Sequence, residues 1–451
     1  MPGCWARNGW NCCSRLPQHG PDSIHSWLVA GACALSSFFA LAGWRSAGFL
    51  FIAILETFQV NRTEGSWPIV LMTALGYLAG FITGPLVHRF NARLVIIAGT
   101  AFSSAGLLLS FFATTIGFMT FTLGVIHAIG TGMVFIVAPT VISEHFIKNE
   151  GLAMGLNFAG GTVGLFVFPK LLEYLTAAYG LRGALLIFGA VTMNGLAFSQ
   201  FTRAPSKRKA APDENEIAAQ LPPKATSDEG ANKRRHACTV LKSPVFYLIM
   251  YSFNTYCVCY EFYMSLFVDF ASDRGVAVST AVTVMAAGAI SEVLGRLTLP
   301  SAVDRGLMTN KTALTITLGA EAVTFLLLPF LRIHGLIFAV AVGIAFSIGT
   351  AMVLFPVILA SYFGRENLSV SFGIVVASAG LLSFVKPSLI GHFRDKVGAY
   401  DWLFVICGAV NAVAAAAWIA VLAREKCIRK KDLVRDEMAP VNTSITGKFS
   451  N

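Results

Sequence analysis

An apolar run of about 20 residues crosses a membrane as a helix, because lipid offers its backbone no hydrogen-bond partner. This sequence repeats such runs along nearly its whole length. They lie at about 27–57, 67–87, 94–112, 117–142, 151–174, 183–201, 244–270, 277–303, 312–331, 335–360, 370–392 and 401–423. Charged residues make up 13% of the chain and hydrophobic ones 55%, where a soluble protein carries about 25% charge. The sequence predicts an all-α membrane protein with twelve spans.

Composition changes once in the interior. Residues 202–243 are polar, charged and proline-bearing, a pattern too poor in apolar surface to fold. This predicts a disordered cytoplasmic linker between two six-helix halves, 27–201 and 244–423, with cytoplasmic tails at 1–26 and 424–451. The net charge of +10 would suggest a nucleic-acid partner in a soluble protein, but here it tracks the loops. With both termini in the cytoplasm, 24 of the 34 Lys and Arg fall in inside segments and six in outside loops. That bias fixes the orientation. It places the sequon at Asn61 outside, where glycosylation is expected, and those at Asn310, Asn367 and Asn442 inside.

The remaining four cations, Arg45, Lys170, Arg296 and Lys386, lie within the spans. Burying an arginine at mid-membrane costs at least about 2.5–3.5 kcal/mol, so such residues face a bundle interior or a watery cavity and mark transport paths. Arg296 follows Glu292 by four residues, which puts both on one helix face. The guanidinium fork suits a carboxylate. The bland reading of this pair is a permanent ion pair that locks its helix. Arg45 reads as an anion-binding or gating residue, or as a side chain that snorkels outward. Glu261 lies at nearly the same depth in the seventh span, which predicts an Arg45–Glu261 gate pair. Lys386 binds a second carboxylate or snorkels. His127, Asn157, Asn254, Tyr256 and Tyr260 are cavity candidates, against packing and interhelical hydrogen bonding. Lys170 and Glu173 read as a surface pair. No metal-ligand spacing, P-loop or hydrolase motif occurs, so neither a cofactor nor an enzymatic role is expected.

The two halves share short motifs. Gly80-Phe81-Ile82-Thr83-Gly84-Pro85 ends the second span, and Gly295-Arg296-Leu297-Thr298-Leu299-Pro300 lies near the end of the eighth. Six helices repeated in one orientation around a linker is the arrangement of the major facilitator fold, with the site between the halves. The stretch His145–Gly160 holds Leu152-Ala153-Met154-Gly155 and Ala159-Gly160, and 391–408 reads GHFRDKVGAYDWLFVICG. With the Glu292/Arg296 pair, and Asp22 and Trp27 before the first span, these resemble the monocarboxylate transporter family (solute carrier family 16) across roughly 21–204 and 241–424. The resemblance implies secondary transport of lactate- or pyruvate-like monocarboxylates with a proton, by alternating access in the plasma membrane. Arg296 would hold the carboxylate and Glu292 the proton, and Arg45 takes the place of the family's first-span lysine. Some relatives need a single-span immunoglobulin-type ancillary protein. Two other readings stay open: proton-independent movement of larger carboxylates such as aromatic amino acids or hormones, and a non-transporting sensor or scaffold.

Overall fold

The computed structural model describes residues 20–202 and 240–437. Most of the expected linker and N-terminal tail, and residues 438–451, lie outside these. Among the described residues every regular element is helical. Helix α1 is Ile24–Ala40, α2 Ala42–Arg45, α3 Ala47–Phe58, α4 Arg62–Leu78, α5 Gly80–Arg89, α6 Ala92–Leu109, α7 Ile116–Phe121 and α8 Ala128–His145. They continue as α9 Glu150–Thr192, α10 Asn194–Ser199, α11 Pro244–Ser272, α12 Val278–Asp304, α13 Asn310–Leu327, α14 His334–Phe363, α15 Leu368–Ser383, α16 Lys386–His392 and α17 Asp401–Glu437.

Among the described residues, eight helical stretches are long and apolar enough to cross a membrane, or nine when the bent pair α4–α5 counts as one. The remaining expected spans are present as helix but are not counted as separate stretches, for visible reasons. The first is broken into α1, α2 and α3. The fifth and sixth run on as α9, kinked at Gly180. The positive φ of 68° there is a conformation only glycine adopts cheaply. The seventh, α11, carries Glu261 and Asp269 among Ser, Asn and Tyr. At the C-terminal end α17 continues as helix to Glu437, well into the stretch read from sequence as a polar tail.

The helix pairs that join the parts before and after residues 203–239 include two that meet through glycine. In one, α5 meets α15 with glycine against glycine: a Cβ on Gly80 would overlap the backbone of Gly373, and one on Gly84 would meet the Val370 Cα at 2.9 Å. In the other, α9 meets α12 where Gly155 lies under the carbonyl of Arg296. These pairs converge at one end of the bundle, where polar contacts close the seam. The Asp304 carboxylate accepts from the backbone N–H of Gly151 at 3.1 Å and Leu152 at 2.8 Å, satisfying free donors at the start of α9. Arg365 pairs with Glu150 at 3.2 Å. Asp22 accepts from the N–H groups of Ile147, Lys148 and Asn149, which folds the start of the chain over the α8–α9 loop. The opposite end, which carries Asn61, lacks such a seal among the described residues, and the cavity lies toward it.

Candidate functional site: a polar and aromatic cavity

Arg45 owes its position to the break in the first span. The Ala40 carbonyl at the end of α1 accepts from Ser103 Oγ at 2.9 Å and Thr131 Oγ1 at 3.1 Å. His127 completes this cluster, its Nδ1 2.8 Å from the Ser103 carbonyl. Its imidazole packs where a Cβ on Gly43 would sit. A π-helical turn at Thr122–His127 delivers the ring to this place, a common use of such irregular turns. His127 is fully buried and is a packing residue outside the cavity wall. Asn157 is likewise a tie, accepting from Ser37 Oγ at 2.8 Å between α1 and α9. The cavity role kept open for these two is therefore corrected in favour of the packing alternative: both side chains turn toward neighbouring helices.

Glu292 and Arg296 are held by backbone contact on two sides of α12. Gly155 of α9 lies against the Arg296 carbonyl, and Gly349 of α14 against the Glu292 carbonyl; a Cβ at either would overlap those atoms. The pair forms as the spacing predicts, Arg296 Nη2 donating to Glu292 Oε1. Arg296 Nη1 donates to the Phe158 carbonyl, and Thr162 Oγ1 lies 3.4 Å from Glu292. Both side chains are only 3% exposed. Nη1 and Nη2 of Arg296 are thus each engaged by the protein itself, while its buried Nε has no hydrogen-bond partner.

The cavity measures about 410 Å³. Its wall includes Arg45, Tyr260, Glu261, Arg296 and Lys386, which the fold brings together from α2, α11, α12 and α16. Arg45 donates to the Tyr260 hydroxyl at 2.9 Å. The expected Arg45–Glu261 pair does not form. Glu261 binds Lys386 instead, at 3.2 Å. The reason is helical geometry: consecutive residues point about 100° apart, so when Tyr260 faces Arg45, Glu261 turns toward α16. Lys386 is the first residue of that short helix, just past the end of α15 at Ser383.

Sequence reasoning missed the apolar part of this wall. Trp44, Tyr77, Phe135, Phe158 and Phe253 line it, beside Tyr256, which the sequence already offered as a cavity residue. Trp44 meets Tyr77 edge-on at 4.9 Å, Phe135 meets Phe158 at 5.9 Å, and Tyr256 stacks on Tyr260 at 6.1 Å. With 36 phenylalanines in the chain, composition alone could not single these out. Asn61 caps α4 at its exposed first turn, accepting from the Glu64 N–H at 2.8 Å. Lys170 and Glu173 form the expected surface pair at 2.9 Å. Among the described residues no cluster of three or more His, Cys, Asp or Glu is arranged to hold a metal ion.

The model of the Major Facilitator Superfamily matches residues 33–356, well over half of the chain. The chain belongs to that superfamily. Within it, the chain is similar at low identity to monocarboxylate transporters, which supports a divergent member of that family. Human monocarboxylate transporter 12 is 23% identical over 406 residues, covering 86% of this chain and 78% of the relative. Human monocarboxylate transporter 2 is 26% identical over 429 residues, covering 90% and 87%. Mouse monocarboxylate transporter 9 is 31% identical over 202 residues, covering 44% of this chain and 40% of the relative. The superfamily fold also appears in solved structures. The transporter FucP in its outward conformation superposes with a TM-score of 0.65 at 16% identity, covering 87% of this chain and 99% of that one. The proton:xylose symporter XylE gives 0.66 at 13% identity, covering 87% and 94%. This superfamily member is a multi-pass membrane transporter, not an enzyme.

Proposed function

We propose that the protein carries a monoanionic carboxylate with a bulky, aromatic-sized body through the central cavity, with the carboxylate on Arg45. The observation that carries this reading is the charge around the cavity. Glu292 neutralises Arg296 and Glu261 neutralises Lys386, while among the described residues no carboxylate lies in ion-pair contact with Arg45, whose guanidinium donates to Tyr260. One net positive charge faces the cavity, and one substrate carboxylate cancels it. A zwitterion would leave it uncancelled.

The cavity's volume and lining argue for the larger of the two carboxylate readings. A space of about 410 Å³ falls within the roughly 300–1,000 Å³ of sites that hold drug-sized ligands. Its Trp, Tyr and Phe walls suit an aromatic or bulky apolar body, whereas lactate or pyruvate would leave most of this surface uncovered. Alternating access is the mechanism this reading entails, with the seal at Asp304 and Glu150 opening toward the cytoplasm. The placement of both termini in the cytoplasm and of the protein in the plasma membrane belongs to the same proposal.

The test is uptake into liposomes holding the purified full-length protein. Labelled indole-3-acetate and 3-phenylpropionate are expected to enter faster than lactate or pyruvate. Their neutral amides should neither enter by the carrier nor compete. Equal competition by acid and amide would refute the charge argument, and preference for the three-carbon acids would refute the size argument.

A further inference from the structure

Glu261 and Lys386 differ from the other buried pair in two respects. Their single contact is wider, 3.2 Å, and their side chains are 14% and 27% exposed, against 3% for both Glu292 and Arg296. Both residues line the central cavity and also a side pocket of about 80 Å³, shared with Cys257, Phe262, Leu382 and Leu389. Lys386 stands where the eleventh span is interrupted, so its ammonium is not fixed by a continuous helix.

We propose that Glu261 and Lys386 form a proton-operated anion site, at which Lys386 takes a second carboxylate of the substrate once Glu261 is protonated. The inference rests on the cavity being the carboxylate site, as proposed above. With Glu261 ionised, Lys386 is neutralised and the cavity offers Arg45 alone, which matches a monoanion. A proton from solution on the Glu261 carboxylate removes that partner. Arg45 and Lys386 then present two positive charges to one cavity, which match a dicarboxylate. The loaded cavity is neutral in both cases. A proton therefore accompanies the diacid and not the monoacid.

Lys386 apart, the titratable and charged groups around Glu261 come from four helices. Helix α4 brings Tyr77 within electrostatic reach, and α11 itself brings Cys257. Arg45 of α2 is engaged by Tyr260, and α12 brings the Glu292–Arg296 pair, closed on itself and on Phe158. Helix α15 carries no charged residue, and α14 and α17 bring none to this depth.

The experiment measures binding of phenylacetate and phenylsuccinate to the purified full-length protein between about pH 6.5 and 8.5, where both acids are ionised. Affinity for the diacid is expected to rise as pH falls, up to about tenfold per unit, the limit for one linked proton. Affinity for the monoacid should stay flat. In Glu261→Gln the diacid slope should vanish, and adding Lys386→Gln should remove the advantage of the diacid. The wild-type slopes need no variant, so misfolding of a variant leaves the test intact. Parallel slopes for the two acids, or a diacid slope that survives Glu261→Gln, would overturn the inference. If the monoacid binds and the diacid gains nothing at low pH, this inference falls alone. If neither acid binds, the carboxylate reading falls and takes it along.

Discussion

The seal at the Glu150 end sets how often the cavity opens to that side, and Asp304 is the residue through which to weaken it. Its carboxylate accepts two N–H groups at the start of α9, at 3.1 and 2.8 Å. Asp304→Asn keeps the shape, leaves one acceptor oxygen and removes the charge. Loss of one hydrogen bond is worth about 1 kcal/mol net, and loss of a half-exposed anion at a helix N-terminus about another. The open state should gain about 2 kcal/mol, or roughly 30-fold in population, since each 1.4 kcal/mol is a factor of ten. Ser369 reports on this opening. It is fully buried in the seal, and its carbonyl lies 3.2 Å from where a Cβ on Gly84 would sit. In a Ser369→Cys background, alkylation of that cysteine, followed by mass spectrometry of its peptide, should accelerate roughly 30-fold when Asp304→Asn is added. Because Ser369 belongs to the α5–α15 contact and Asp304 to the α9–α12 contact, acceleration means that the seal opens as a unit. A rate within about threefold of the background would refute the reasoning.

Gly349→Ala forces a methyl onto the Glu292 carbonyl. Such overpacking typically costs about 1–3 kcal/mol, so the melting temperature in detergent should fall. Lys170→Ala removes only an exposed pair, 80% and 57% accessible. Pairs of this kind are worth about 0.5 kcal/mol or less, and the same melt should be nearly unchanged. Asn61 heads the exposed first turn of α4, at the end away from the Glu150 seal. If that end faces outward, Asn61→Gln should abolish the shift in gel mobility on deglycosylation, while substitution at Asn310 or Asn367 should not.

The helices were legible in the sequence because lipid imposes its demand locally: each apolar run must satisfy its own backbone. The Glu292–Arg296 pair was legible for a similar reason, since a four-residue spacing places both side chains on one face without reference to any other helix. The glycines at 80, 84 and 155 stand in motifs the sequence displays, but their close contacts with Gly373, Val370 and Arg296 depend on which helices meet. Contacts between helices turned on rotation, which sequence does not encode residue by residue. A rotation of one residue decides whether α11 shows Arg45 a carboxylate or a phenol, and it shows Tyr260. Glu261 thus went to Lys386, across a break in the eleventh span that the apolar pattern conceals. His127 and Asn157 carried plausible cavity chemistry, yet both serve packing, His127 by filling the space opposite Gly43.

The central claim is that Arg45, rather than Arg296, receives the substrate carboxylate. The direct measurement is binding of labelled indole-3-acetate to the wild-type protein, Arg45→Gln and Arg45→Lys. Truncating one partner of a buried charge pair costs about 2–5 kcal/mol, so Arg45→Gln should weaken binding by roughly 30-fold or more. Arg45→Lys should recover part of that loss. The account is contradicted if Arg45→Gln binds within about threefold of the wild type while Arg296→Gln abolishes binding.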